Sequence, residues 1–424
     1  MNRIIIVGNG FDLAHGLKTK YEDFINWYWD KWGQRLRSCS DKQISDGLCS
    51  FILKDEVGLA GWYLVWNYHY SISPFKKYTN RQLVETAISD STVCDYKMHS
   101  AFLERICKSI ETKGWVDIEA DYYAMLVECK GKKDELERLN KDFAIIQRLL
   151  VEYLNEIQKE QIDEKIFCDN IKRAMLSPLS KDEIAVSSNV KWTYFVYDRA
   201  KDESSIGAFS HLFHDYEIFD LDTDKIKDLL KKNQTAILLD SEFCDQRAKE
   251  FLLPERIMLL NFNYTNTADI YMPNNPRFIV NHIHGELSNT ESVIFGYGDE
   301  SDDEYKAIVK HNDNEYLKNI KTNRYLETAK YRELLSFINS GPYQVCIMGH
   351  SCGLSDKTML NTLFEHDNCV SIKPYYYENE QGNDNYLDMV QNISRNFTNP
   401  QLMRDRVVNK TFCEPMPQLK KRIL

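Results

Sequence analysis

The sequence predicts an α/β protein, a Rossmann-like parallel sheet interrupted by a large helical insertion. Three observations carry this. Arg3-Ile4-Ile5-Ile6-Val7 is an apolar run without alternation, as in a strand buried on both faces at the centre of a parallel sheet. The run ends in the glycine-rich turn Gly8-Asn9-Gly10-Phe11-Asp12, whose backbone amides suit a phosphate. Beyond residue 250, further short apolar runs each lead into glycines or polar residues, and helical sequence separates several of them.

Taken in order, the first turn departs from the dinucleotide fingerprint, because Leu13 stands where a third small residue is wanted. Thr19-Lys20-Tyr21-Glu22 has the capping-box pattern, and Tyr21, Phe24, Ile25 and Tyr28 recur at helical spacing, so a helix starts near Lys20. That leaves Gly8 to Lys18 as a loop. From about His99 to Asn170 the pattern is helical, with Leu136, Leu139, Phe143, Ile146, Leu150, Tyr153 and Ile157 on one stripe. Between 170 and 250, Trp192 to Tyr197 is a candidate strand, and Phe209 to Phe219 fits several templates.

The later strands are read at Ile257–Leu260, Phe278–Val280, Ser292–Phe295, Gln344–Met348 and Cys369–Ile372, about six in all with the first. The expected organisation is residues 1–95 and 251–424 for the Rossmann-like part, with 96–250 as the insertion. In an open parallel sheet, ligands bind outside the carboxyl ends of the strands, where the motifs Asn261-Phe262-Asn263-Tyr264-Thr265, His282-Ile283-His284-Gly285, Gly296-Tyr297-Gly298-Asp299 and Gly349-His350-Ser351 fall.

Composition narrows the function. The chain has 424 residues, 43% of them apolar, enough for a substantial core. A net charge of −11, with basic residues scattered among acidic ones as in 130–138 and 198–203, argues against nucleic acid as the main partner. The basic tail Lys420-Lys421-Arg422 reads as a solvated terminus. Eleven cysteines without a C-x-x-C pair read as reduced thiols and offer no four-thiolate zinc site. No signal peptide or membrane-spanning stretch is evident, so the expected location is the cytoplasm.

Here a resemblance becomes specific. The segment from Ile4 to Leu13, then Gly16 to Phe24, resembles the start of the phage abortive-infection AbiH family. Gly114-Trp115-Val116-Asp117-Ile118-Glu119, the asparagine-rich motif 261–265, His284-Gly285 and Gly349-His350-Ser351 resemble its later motifs. The order of motifs also resembles, more distantly, sirtuin-like NAD-binding domains of bacterial defence proteins.

That resemblance implies NAD as substrate or ligand, cleaved to nicotinamide and ADP-ribose as by an NAD glycohydrolase. Asn263 and His284 take the catalytic places, with a carboxylate from Asp12 or Asp299. Gly8, Asn9, Gly10, Phe11, Tyr264, Thr265, Gly285, Gly296, Gly349, His350 and Ser351 line the nucleotide, and no metal is expected. The residue types suit the chemistry: an amide carbonyl orients a water or ribose hydroxyl, and an imidazole near neutrality accepts a proton. Asp117, Glu119 and Asp121 are compatible with carboxylates facing the cleft or with helix N-terminal charge. A phage-derived trigger and a homo-oligomer are further expected partners, since constitutive NAD cleavage would harm the host.

Two alternatives stay open. His282 and His284 would point the same way if 278–284 stayed extended, and with Asp299, Asp302 or Asp303 would make a metal-dependent hydrolase or nuclease. The same sheet edge would also serve a non-catalytic nucleotide sensor.

Overall fold

The computed structural model describes residues 1–38, 41–54, 79–89, 91, 94–113, 117–162, 166–201 and 252–419. Trp115, the stretch Phe209 to Phe219 and the basic tail lie outside these residues, as does the acidic-basic mixture beyond 201.

The first strand, β1 (Asn2–Val7), is buried along its whole length. It pairs in parallel with both β5 (Ile257–Asn261) and β7 (Tyr343–Met348). β6 (Phe278–His282) joins β5 and β8 (Cys369–Tyr375) joins β7, also in parallel, so the sheet runs β6-β5-β1-β7-β8. The apolar run lacks alternation because both faces of the sheet are covered. Ile4 and Ile6 pack with Leu334, Phe337, Leu360, Leu363 and Ile393, from the helices Lys330–Asn339, Lys357–Glu365 and Tyr386–Arg395. Ile5 and Val7 pack with Phe11, Ile171, Met175 and Tyr271 on the other side. The α/β, Rossmann-like architecture expected from the sequence is thus present.

The helical part has its own core, in which Trp32, Phe51, Phe102, Tyr122, Phe143 and Tyr153 meet. Helix α2 (Tyr21–Ser38) begins where the capping pattern puts it, and the seven-residue stripe lies buried on a helix spanning Lys133–Gln161. A small antiparallel sheet of β2 (Gln43–Ser45), β3 (Cys49–Leu53) and β4 (Cys94–Met98) had no counterpart in the sequence reading. Strands this short give little periodic signal.

Three local expectations are corrected. The segment after Gly8 is not a loop throughout, since helix α1 (Asn9–Ala14) starts at once and tucks Phe11 and Ala14 under the sheet edge. Trp192 to Tyr197 belongs to the helix Asn189–Lys201. Ser292 to Phe295 is not a strand. Its Val293, Ile294 and Phe295 are buried because they fill the junction with the helical part, where Phe295 stacks on Phe143 at 4.8 Å. An apolar run signals burial, and only pairing makes it a strand. None of the nine described cysteines is in a disulfide, and no described helix is long and apolar enough to cross a membrane.

Candidate functional site

Counting sheet strands in chain order, the sheet runs 3-2-1-4-5, with connections departing to opposite sides at β1 and β7. Such a switch point opens a crevice at the carboxyl ends of the strands. The turns after β1 and β7 meet there, and they meet backbone to backbone. The Gly10 amide donates to the Gly349 carbonyl at 2.8 Å, and a Cβ on Gly10 would lie 2.8 Å from that oxygen. Gly349 has φ 77°, and a Cβ on it would lie 2.1 Å from the Phe11 nitrogen. These glycines therefore let the two turns touch. The sequence suggested amides left open for phosphate; instead the Gly10 amide is engaged with Gly349, and the Phe11 amide donates to the Gly8 carbonyl at 2.8 Å. Asn9 is exposed and accepts a hydrogen bond from the Thr19 hydroxyl at 2.5 Å. Phe11 is buried beneath the rim, edge-on to Tyr271, and Ser351 is exposed on the rim.

Along one side of the β1 turn lie Asp12, Thr265 and Asn263. Asp12 is 2% exposed; its Oδ2 accepts from the Thr265 hydroxyl at 2.7 Å, and its Oδ1 has no hydrogen-bond partner. Burial pushes its pKa up to about 6, against the lowering effect of Thr265, Thr267 and the nearby Asn263. Asn263 is half-buried. Its side-chain nitrogen donates to the Gly8 carbonyl at 2.9 Å, and its backbone amide to Asn261 Oδ1 at 2.9 Å. The Asn263 carbonyl oxygen makes no hydrogen bond among the described residues, so it is available as an acceptor. Tyr264, the next residue, donates its hydroxyl to the Ile294 carbonyl at 3.1 Å.

On the other side is a buried charge cluster gathered from five chain segments. His284 follows β6, and its Nε2 lies 3.2 Å from both Asp356 Oδ1 and the Tyr325 hydroxyl. His350 Nε2 lies 3.6 Å from Asp356 Oδ2. Lys321, 1% exposed, donates to Asp356 at 2.9 Å and to Glu119 at 2.8 Å. Glu119 also accepts the Gly296 amide at 3.0 Å. The Phe262 ring lies against both imidazoles, with centroids 5.0 Å from His284 and 4.3 Å from His350. His350 in turn abuts Gly8, on which a Cβ would lie 2.7 Å from the His350 Cα. Gly8 is thus the common neighbour of Asn263 and the cluster.

Burial dominates the electrostatics. It lowers the His284 pKa to about 4, helped by Lys321 and opposed by Asp356, so the ring is neutral at physiological pH. Burial also favours the neutral forms of Asp356 and Lys321, but their mutual attraction outweighs it: Asp356 is held well below the carboxylate range and Lys321 is held charged. Glu119, buried and beside a second carboxylate, is raised to about 7 despite Lys321.

The acidic triplet divides. Asp117 caps the helix Ile118–Glu128 by accepting the Ala120 amide at 3.0 Å, Glu119 enters the cluster, and Asp121 faces Arg105 and Ser109. Asp299 bonds Ser301 and Lys357 and makes no hydrogen bond to the cluster residues among the described residues. Gly285 packs against Ser292. The proposed metal set is not assembled, because the chain turns after His282: that ring bonds Asp269 at 2.9 Å while His284 turns to Asp356. Among the described residues no group of three His, Cys, Asp or Glu side chains is placed to hold a metal ion. Sequence reasoning missed Lys321, Tyr325 and Asp356. The last had a usable signal, since it follows the Gly349-His350-Ser351 motif within one loop.

The sequence model of bacteriophage abortive infection AbiH matches residues 4–377. The chain belongs to the AbiH family. The match spans β1 through β8 and so takes in Gly8, Asp12, Glu119, Asn263, His284, Lys321, His350 and Asp356, and membership points to phage abortive-infection defence. Of the motif at 114–119, only Asp117 to Glu119 fall within the described residues of this AbiH chain. Comparison with curated proteins and with solved structures found no match.

Proposed function

We propose that this AbiH protein binds NAD or a related nucleotide across the carboxyl edge of its parallel sheet, in the cytoplasm, and hydrolyses it to nicotinamide and ADP-ribose. The observation that carries the reading is that, around Gly8 at the switch point beside β1, an available amide carbonyl on Asn263 and a buried carboxyl on Asp12 lie on one side, and the cluster holding the neutral imidazole of His284 lies on the other.

Cleaving the bond between nicotinamide and ribose leaves positive charge on the ribose, and the bond's electron pair departs with neutral nicotinamide. Water then bonds to the ribose anomeric carbon and gives up one proton. Asn263 Oδ1 orients that water, His284 accepts the proton, and the ionised Asp12 carboxylate stabilises the ribosyl cation. A base of low pKa is a weak one, but a reaction whose charge develops largely before water attacks asks little of it.

Chromatography of nicotinamide after incubation with NAD tests this, with phage components present and absent, because an NAD-consuming enzyme must rest until infection. Sizing under both conditions reports on a homo-oligomer. The expected result is nicotinamide release that falls by about 100-fold or more in Asn263→Ala and His284→Ala, the scale of a lost general base. Tight NAD binding with no turnover under either condition would identify a nucleotide sensor instead, and full activity in both variants would place the chemistry elsewhere.

A further inference from the structure

His284 and His350 flank one carboxylate, yet their ring nitrogens are used differently. His350 Nδ1 accepts the Cys352 amide at 3.0 Å, so its proton sits on Nε2, toward Asp356. Its Nδ1 is thereby occupied, and its Nε2 faces Asp356 Oδ2 at 3.6 Å. The loop that does this is held firmly: Cys352 has φ 52°, its carbonyl accepts from buried Asn396 at 2.9 Å, and the Ser351 carbonyl accepts from Asn392 at 3.0 Å. A non-glycine residue in that region persists only where its surroundings over-determine it. His284 has only Nε2 engaged, with Asp356 and Tyr325, and its Nδ1 makes no hydrogen bond among the described residues.

We propose that Asp356 is the positioning residue of this site: by accepting the Nε2 proton of His284 it fixes the tautomer in which Nδ1 is the proton acceptor, while Lys321 and Glu119 hold Asp356 in place. The role of Nδ1 as the base rests on the NAD-cleavage reading; the tautomer does not.

An anionic oxygen 3.2 Å from Nε2 favours the proton on that nitrogen. The anion persists because Lys321 neutralises it at 2.9 Å. Lys321 is fixed from its other side by Glu119, on the helix Ile118–Glu128. The remaining titratable groups facing this assembly are His350; Tyr21, Tyr264 and Tyr325, whose phenols burial keeps neutral; Cys352, whose thiol burial keeps protonated; and Asp117, which burial also shifts toward its neutral form. Asp356 is therefore the charged acceptor in contact with His284, and the His350 Nε2 faces its other oxygen at 3.6 Å.

The test combines two readouts on the full chain. With ¹⁵N-labelled histidine, the His284 ring signals are assigned by their loss in His284→Gln among the ten histidines of the chain. The wild type is expected to show a neutral ring protonated on Nε2 at pH 7, and Asp356→Asn a mixture of tautomers with the fold retained by circular dichroism. In nicotinamide release, Asp356→Asn lowers kcat by about 100-fold with KM nearly unchanged, as removal of a base's orientation does. Glu119→Gln, which keeps the shape of the contact, is the milder variant: it leaves the Nε2 tautomer in place and lowers kcat less than Asp356→Asn does.

A wild-type ring protonated on Nδ1 overturns the proposal, and this holds even if Asp356→Asn does not fold. So does a tautomer that ignores Asp356→Asn. The expected tautomer without nicotinamide release leaves the positioning role standing and defeats the NAD reading alone, so the two failures are distinguishable.

Discussion

Replacing Asp12 with asparagine should make the protein more stable at pH 8 than the native sequence does. Asp12 is buried with one oxygen on Thr265, the other unpaired, and no cation among the causes acting on it, so burial raises its pKa from 3.8 to about 6. Between these values the folded chain holds a proton that the unfolded chain has lost. Stability therefore falls as pH rises from about 4 to 6 and stays reduced above that. A shift of about two units corresponds to about 3 kcal/mol, of which about 2 kcal/mol separates pH 8 from pH 4. Asparagine keeps the acceptor for Thr265 and removes the ionisation.

The wild-type curve alone hides the effect. His284 is lowered to about 4, so its stabilising contribution grows with pH from about 4 to 6.5 and opposes Asp12 over nearly the same window. The quantity to measure is the difference between Asp12→Asn and wild type, by urea denaturation at unit steps from pH 4 to pH 8. It should grow in favour of the variant by about 2 kcal/mol, and under the proposed NAD cleavage turnover should drop while stability rises, the trade expected of a carboxyl retained for chemistry. A difference constant across that range would refute the assignment of an uncompensated, ionisable carboxyl to position 12.

Lys321→Met leaves two buried carboxylates without their cation and should destabilise by about 3–5 kcal/mol in denaturant titrations; a loss under about 1 kcal/mol would mean the cluster is hydrated and not buried. Gly349→Ala should abolish soluble, folded protein, since the added carbon would sit 2.1 Å from the Phe11 nitrogen. Gly382→Ala is its control: φ is 79° but nothing lies within 4 Å, so calorimetry should register only the conformational cost of about 1–2 kcal/mol.

What was legible in the sequence was whatever repeats at short range. The unbroken apolar run at 3–7 marks a doubly covered strand, and the stripe from Leu136 to Ile157 marks one buried helix face. The strand-end motifs were legible as well, because each is contiguous. Asn263, His284 and His350 all reach the sheet edge, though the glycines beside them turn out to join two turns and not to leave amides open. Phe295 misled for a physical reason: a residue buried between two parts of a chain has the same composition as one in a strand.

Lys321 and Asp356 were illegible because their meaning lies in a contact across sequence. Lys321-Thr322-Asn323-Arg324 is a polar stretch that composition would put in solvent; only the placement of Glu119, 202 positions earlier, makes its first residue a buried cation. This also bears on what the helical part is for. Glu119 sits on the helix Ile118–Glu128, whose Ile118 and Tyr122 belong to the core of the helical part, whereas Asp356 and His284 follow strands of the sheet. Lys321 bonds both, so the geometry at the sheet edge depends on the helical part being docked. Any movement that withdraws Glu119 leaves Lys321 with Asp356 alone, and the carboxylate that orients His284 then loses one of its constraints. That coupling gives the helical part a physical route to the site.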